Sequence, residues 1–471
     1  MRLTYEKNFP GIIYYLGAIL QIFGVVVLFP IMASYYYNEG LEIAFLTPSV
    51  VSLSLGALLQ KLGKNNEIGY PEAMVLGFLT LSVASLIASL PYLISGMFSC
   101  DLNGFINSYF EAASGLTTTG LSAISDVDAL PRSILLWRSL TQWIGGLGIV
   151  MLFLAILGVP GISASYLYKG EAKSERLEPS IIHTARKLAK IYILITILCT
   201  CCYIIADVPP FIALVHALST VSTGGFSSAS SSFTNFPLFA KIFAMLFMIC
   251  GATSFTIHHK IIKGNFRGAI QSVELRVMLF MLLLATFLLY PFTKSIGDAA
   301  FQATSALTTT GFFTINIKHT HPLPKLLLLF FMIVGGCSLS TAGGLKIVRF
   351  ISLVKGGIWF LRKSMLPRSA IIPIKISKKV LGESEMIMIM CYFFIYIAML
   401  TLGALTLTFY GYEPFEAIFE SASAIGTVGL SMGIATQSLP IIPKVVLIAE
   451  MFVGRLEIIP LFITVAYFVK K

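Results

Sequence analysis

The chain has 471 residues, 56% of them hydrophobic and only 12% charged, with a mean hydropathy of +0.87. A soluble protein carries about twice that charged fraction, so the composition excludes a water-soluble globular domain and points to a polytopic membrane protein. The net charge of +11 would suit a nucleic-acid binder, but the positive residues lie mostly in short loops between apolar runs, where they act as orientation signals, and no nucleic acid is expected as a partner.

Read in order, the sequence offers about ten apolar segments of the roughly twenty residues that a bilayer core requires. Two come first, near Phe9–Tyr36 and Ile43–Gln60. The first is too long for a signal-peptide core and has no clear cleavage site, so no cleaved leader is expected. A repeat then begins: a helix near Pro71–Met97, a half-helix near Gly104–Leu116, a polar frame, and a helix near Pro131–Leu157. The same order returns over 185–262, 273–350 and 385–469. The expected fold is an all-α polytopic membrane protein with four helix–pore-helix–helix units around one pore, preceded by two extra transmembrane helices. The division expected is 1–66 for the extra pair, then units over 67–175, 176–265, 266–375 and 376–471.

The polar frame is the centre of each unit. Ala113–Ser122 reads ASGLTTTGLS, and it returns without a gap as LSTVSTGGFS (Leu218–Ser227), TSALTTTGFF (Thr304–Phe313) and ASAIGTVGLS (Ala422–Ser431). Each copy has Ser in its second place (Ser114, Ser219, Ser305, Ser423) and Gly in its eighth (Gly120, Gly225, Gly311, Gly429). Two residues before the frame stand Glu111, His216, Gln302 and Glu420. A short run of Thr and small residues ending in Gly can turn successive carbonyl oxygens toward one axis, because Gly accepts left-handed φ without a Cβ clash. Four such strands form stacked oxygen cages that replace the hydration shell of a monovalent cation. One TTTG alone would be read as close helix packing in lipid; four copies in one frame outweigh that reading. The candidate filter is therefore Thr117, Thr118, Thr119 and Gly120; Ser222, Thr223, Gly224 and Gly225; Thr308, Thr309, Thr310 and Gly311; and Gly426, Thr427, Val428 and Gly429. With one shared Gly per strand, few left-handed positions and a short row of cages are expected.

Start signals for the half-helices are Asn103 and Asp298 as N-caps and Pro210 and Pro414 in the first turn. The negative ends of their dipoles would then favour a cation near the filter. Lys and Arg collect on one side of the apolar segments, and the other side keeps Arg132, Lys241, Lys294, Lys318, Lys325 and Lys444. By the positive-inside rule both termini face the cytoplasm and the filters lie toward the outer face.

The third unit carries a second feature. Its inner helix should start near Leu323, yet it meets Gly335-Gly336-Cys337-Ser338 and then Ser340-Thr341-Ala342-Gly343-Gly344. Gly costs a helix about 1 kcal/mol each relative to Ala, so a break is expected there. The broken segment would lie across the pore beneath the filter as a gate, with Arg455 of the fourth inner helix repelling cations and bonding the loop carbonyls. Arg138 is read as structural glue for a carboxylate or carbonyl, and Glu111 and Glu420 as braces behind the filter. His258-His259 read as a polar cap, the seven Cys lack metal spacing, and Cys199, Cys201 and Cys202 in an apolar stretch read as buried thiols.

Together these residues resemble the Trk/Ktr/HKT superfamily of potassium transporters over nearly the whole chain. The extra helix pair, WRSLTQWIGGLGI (Trp137–Ile149) and VGRLEI (Val453–Ile458) are similar to the TrkH/TrkG branch, while GTVGL is nearer the Ktr pattern. The resemblance implies potassium uptake across a bacterial inner membrane by a homodimer with one pore per protomer. It also implies a cytosolic TrkA-type regulatory ring that binds ATP or NAD. No phosphate-binding loop is present, so no cofactor is expected on this chain, and potassium is its substrate.

No paired carboxylates, nucleophile with base, or metal cluster support an enzyme. Two inverted halves, expected of an organic-solute carrier, are replaced by four parallel repeats. A proton- or sodium-coupled symporter using the same filter is the alternative to passive flow. The membrane potential supplies about 2.3 kcal/mol per charge per 100 mV, enough to drive uptake without a coupling ion.

Overall fold

The computed structural model describes residues 7–157, 181–367, 373–376, 379–457 and 459–469. The extra pair of helices is α1 (Phe9–Val26) with α2 (Phe29–Tyr36), then α3 (Glu42–Leu62). The stretch expected as unit 1 holds α4 (Tyr70–Ile94), the half-helix α5 (Leu102–Leu116) as its expected pore helix and α6 (Arg132–Leu157) as its expected inner helix. The other units are labelled in the same way. Unit 2 is α7 (Ile181–Ile205), pore helix α8 (Pro210–Val221), and an inner helix in two pieces, α9 (Leu238–Ala252) and α10 (Phe255–Ile262). After a short α11 (Phe266–Ile270), unit 3 is α12 (Val273–Thr293), pore helix α13 (Ile296–Leu307), α14 (Pro322–Val334) and α15 (Ile347–Ser364). Unit 4 is α16 (Glu383–Phe409), pore helix α17 (Pro414–Ile425), α18 (Ile441–Arg455) and α19 (Ile459–Val469). A small antiparallel hairpin, β1 (Ile374–Ile376) with β2 (Lys379–Leu381), joins units 3 and 4 and is the one sheet among the described residues.

The molecule is an integral membrane protein. Six described helices are long and apolar enough to cross a bilayer, or seven if α9 and α10 count as one span. That is fewer than the apolar segments in the sequence, and three of the inner helices are broken. The α9–α10 pair bends by 105°. The third inner helix stops at Gly335, whose φ is +73°, and resumes at Ile347. The fourth stops at Arg455, and Glu457 follows with a φ of +61°. Lipid-facing surfaces are apolar, as on α12 with Leu283 and Phe287 and on α16 with Phe394 and Leu405.

Pro210 and Pro414 open their pore helices as the sequence predicts. The two expected N-caps are displaced by a turn. Asp101, not Asn103, caps α5 by accepting from the Gly104 N–H at 2.7 Å. The Ser99 hydroxyl, at 2.6 Å, and that N–H hold the Asp101 carboxyl below its usual range. Ser295 caps α13, accepting from the Asp298 N–H at 3.3 Å, so Asp298 sits inside the first turn. In both cases an earlier side chain reaches the free N–H groups first.

The inner helices repeat one plan. Gly145, Gly251, Gly335 and Gly454 stand at the same step after the residues preceding their helices, Pro131, Pro237, His321 and Pro440. Three of them let the inner helix touch a pore helix: a Cβ on Gly145, Gly251 or Gly454 would press on the carbonyl oxygen of Leu116, Val221 or Ile425. Near the other end, Lys241, Lys325 and Lys444 donate to the Thr234, Lys318 and Gln437 carbonyls at 2.8, 2.8 and 2.7 Å. The lysines left on the filter side thus fasten the loop ahead of their own helix.

Candidate cation pathway

Each pore helix ends in the same turn. In the four frames the N–H of the sixth place donates to the carbonyl of the third, at 2.9 to 3.2 Å. The N–H of the seventh place donates to the carbonyl of the second-place Ser, at 2.8 to 2.9 Å. This is a Schellman cap, which normally wants Gly at its left-handed residue. Here that residue is Thr every time: Thr118, Thr223, Thr309 and Thr427, with φ of +55°, +52°, +54° and +48°. The eighth-place glycines are left-handed too, with φ of +87°, +82°, +89° and +92° at Gly120, Gly225, Gly311 and Gly429. Each strand therefore has two left-handed positions, where the sequence suggested one.

The frames close on one another. A Cβ added to Gly120 would overlap the carbonyl oxygen of Gly224, the seventh place of the next frame. In the same way Gly225 meets Thr310, Gly311 meets Val428, and Gly429 meets Thr119. The contacts run through all four frames and return to the first. Thr117, Ser222 and Thr308 in the fifth place turn their hydroxyls back to the pore helix, donating to Ala113, Leu218 and Thr304 carbonyls at 2.6 to 2.8 Å. Gly426 takes that place in the fourth frame. Among the described residues no donor reaches the carbonyls of Thr118, Thr119, Thr309, Thr310, Thr427 or Val428, although all six residues are buried.

The strand beyond each eighth-place Gly is braced from its own pore helix. Glu111 accepts from the Ser122 hydroxyl and the Ala123 N–H at 3.0 Å, and Glu420 from Ser431 and Met432 at 2.7 and 2.9 Å. His216 pairs with Ser228 at 3.0 Å, and Gln302 donates to the Ile315 carbonyl at 3.2 Å. Arg138 donates to Glu111 at 2.8 Å and to the Ser227 carbonyl at 3.1 Å, and stacks over Phe226 at 4.1 Å. The bracing and gluing roles read from the sequence hold for Glu111, Glu420 and Arg138.

The segment between α14 and α15 packs against the other end of the frames. The Gly343 N–H donates to the Thr309 hydroxyl at 2.7 Å, and a Cβ on Gly343 would overlap Thr427. Gly335 and Gly344 touch, so the segment closes into a loop at its base, and a Cβ on Gly336 would strike Ala342. Thr341 bonds the Gly251 carbonyl through both its N–H and its hydroxyl, at 3.2 and 2.9 Å. Arg455 donates to the Thr341 carbonyl at 2.7 Å and to the Gly145 carbonyl at 2.9 Å. The structure thus brings Gly335, Gly336, Gly343, Gly344 and Arg455 together against the frames.

Comparison with known proteins gives the family. The profile of the TrkH family, described as cation transport proteins, matches residues 42–275 and 269–470. The chain belongs to the TrkH family. Among its TrkH-family relatives, an uncharacterized cation transporter of Methanocaldococcus jannaschii is 35% identical, covering 99% of this chain and 97% of the relative. The Trk system potassium uptake protein TrkH of Vibrio parahaemolyticus is 31% identical, with 97% and 98% covered. The crystal structure of the potassium transporter TrkH from Vibrio parahaemolyticus has a TM-score of 0.87 at 29% identity, covering 97% of this chain and 98% of that one. The family's business is cation transport, and the chain is not an enzyme.

Three features of this TrkH-family chain had no sequence signal. The α9–α10 bend falls at Thr253-Ser254, which reads as ordinary small-residue helix. Its backbone is completed by the loop instead: Cys337 N–H donates to the Ala252 carbonyl at 3.0 Å and Phe255 N–H to the Leu339 carbonyl at 3.1 Å. Lys346 is buried and donates to the Ala342 carbonyl, and Arg349 pairs with Glu457. Gln142 of α6 binds the second frame, donating to the Gly224 carbonyl at 2.6 Å and accepting from the Phe226 N–H at 3.1 Å.

Proposed function

We propose that the protein takes up potassium through a pore whose selectivity filter is the ring of four frames. The observation that carries this reading is the set of buried sixth- and seventh-place carbonyls of frames 1, 3 and 4 that no donor reaches among the described residues. Buried carbonyls need a partner, and a ring of them around one axis is a site for a dehydrated monovalent cation. Relatives named as potassium uptake proteins supply the ion. The loop from Gly335 to Gly344, held by Arg455, is the gate. A cytosolic TrkA-type ring that binds ATP or NAD would open it through α15, and the chain works as a homodimer with one pore per protomer. It sits in the cytoplasmic (inner) membrane with both termini inside.

The test is purified protein in lipid vesicles, with tracer rubidium flux and reversal potentials measured in potassium and sodium gradients at two external pH values. The reversal potential should follow potassium, with sodium passing less well, and stay fixed as pH changes. Flux of organic solutes without cation flux would sink the reading, and a reversal potential that moves with pH or sodium would favour coupled symport. Gly120→Ser should lower the potassium-to-sodium ratio about tenfold, since a left-handed residue with a Cβ costs about 1–2 kcal/mol. An unchanged ratio would remove Gly120 from the filter.

A further inference from the structure

The seventh place of the frame is backed differently in each strand. In frames 1 and 3 it is Thr, and its hydroxyl pairs with that of the fifth place, Thr117 with Thr119 at 2.7 Å and Thr308 with Thr310 at 2.8 Å. In frame 4 it is Val428, fully buried. In frame 2 it is Gly224, next to Gly225, so this strand has two successive glycines and no side chain behind them. The space is filled from another unit. A Cβ on Gly224 would run into the side-chain amide of Gln142 on α6. That amide spans the strand, with its N–H on the Gly224 carbonyl and its oxygen on the Phe226 N–H. Gln142 is fully buried, and among the described residues no side chain from another unit bonds the seventh-place carbonyl of the other frames.

We infer that Gln142 is a specificity-determining residue of the filter, supplying from unit 1 the backing that the second strand lacks. This rests on the frames being the filter. Two effects follow. The amide fixes a Gly-Gly strand that would otherwise sample many conformations. It also occupies the Gly224 carbonyl, whose counterparts at Thr119, Thr310 and Val428 have no donor. The seventh-place ring is therefore three free oxygens and one that the amide holds in register through one of its two lone pairs, leaving the other for the ion.

The same vesicles test it. Gln142→Met keeps the bulk and removes both bonds, and it should lower the potassium-to-sodium ratio about tenfold, the factor for one or two net hydrogen bonds. Gly224→Thr alone should clash with Gln142 and lose flux. Gly224 does not need a left-handed φ, so Gln142→Ala with Gly224→Thr makes frame 2 resemble frame 1. The double variant should recover flux and at least the parent ratio. If Gln142→Met fails to insert, the Gly224→Thr pair carries the test by itself. A conducting parent whose ratio is unchanged in Gln142→Met, or a double variant no better than Gly224→Thr, overturns this inference alone. A parent with no potassium flux overturns the proposed function and this inference with it.

Discussion

At the scale of residues, the four positions before the frames do one task with different chemistry, and that difference can be measured. Glu111 and Glu420 both brace the strand beyond the eighth-place Gly, but only Glu111 also faces a guanidinium. Glu111→Ala leaves Arg138 buried beside an empty space, and breaking a buried pair costs about 3–5 kcal/mol. Glu420→Gln keeps the shape and an acceptor oxygen, and should cost about 1 kcal/mol. Thermal melting of the purified protein should therefore drop much further for Glu111→Ala. Equal drops would mean that the ion pair adds nothing to the brace. The frames themselves were legible because Ser and Gly recur at fixed places. The left-handed threonines were not, since Thr is a poor left-handed residue and nothing local marks it. Gln142 was invisible for another reason: its partner lies in the next unit, and spacing along one helix says nothing of that.

At the scale of elements, the inner helices show what glycine can and cannot announce. Gly335, Gly336, Gly343 and Gly344 end α14 and shape a loop, as their cost in a helix suggests. Gly145, Gly146 and Gly148 lie within α6, which stays continuous over Arg132–Leu157. At Gly145 and Gly146 the absent Cβ serves contact: on Gly146 it would sit 2.7 Å from the Tyr192 hydroxyl and 3.0 Å from the Cβ of Ser222. The same residue breaks one helix and packs another, and only the neighbours decide. The loop is fixed by separate ties, to Thr309, to Gly251 and to Arg455. Arg455→Ala removes the Thr341 tie and the positive charge together. It should raise basal cation flux about tenfold without any cytosolic partner, given about 1.5–3 kcal/mol for a charged hydrogen bond. Shortening the loop across Gly335–Gly344 should do the same. Flux no higher than the parent in both, with normal insertion, places the gate elsewhere.

At the scale of the whole molecule, the Gly335–Gly344 loop, the proposed gate, continues into elements that the proposed cytosolic partner would grip. Lys346 ends the loop, α15 begins at Ile347, and Arg349 on its first turn pairs with Glu457, just past the end of α18. The far end of α15 is basic, with Arg362 and Lys363, and the hairpin beyond it carries Lys375 and Lys379 on strands paired Ile374 to Leu381 and Ile376 to Lys379. Lys355 reaches from α15 to the Lys375 carbonyl at 3.0 Å, so hairpin and helix are joined. In the proposed gating, a pull on the hairpin would pass through α15 to the loop. Lys378, also basic and between these strands, lies outside the described residues. Two explanations compete for this positive surface. It can orient the chain in the membrane, or it can attract an acidic patch on a regulatory ring. Lys375→Glu with Lys379→Glu separates them. Exposed pairs are worth about 0.2–1 kcal/mol each, so the double variant should hold the ring about tenfold less tightly at low salt, with the gap to the parent narrowing as salt screens the charges. Basal flux of the membrane subunit alone should stay at the parent level. If the ring co-purifies in full at every salt concentration, the lysines orient the chain and nothing more.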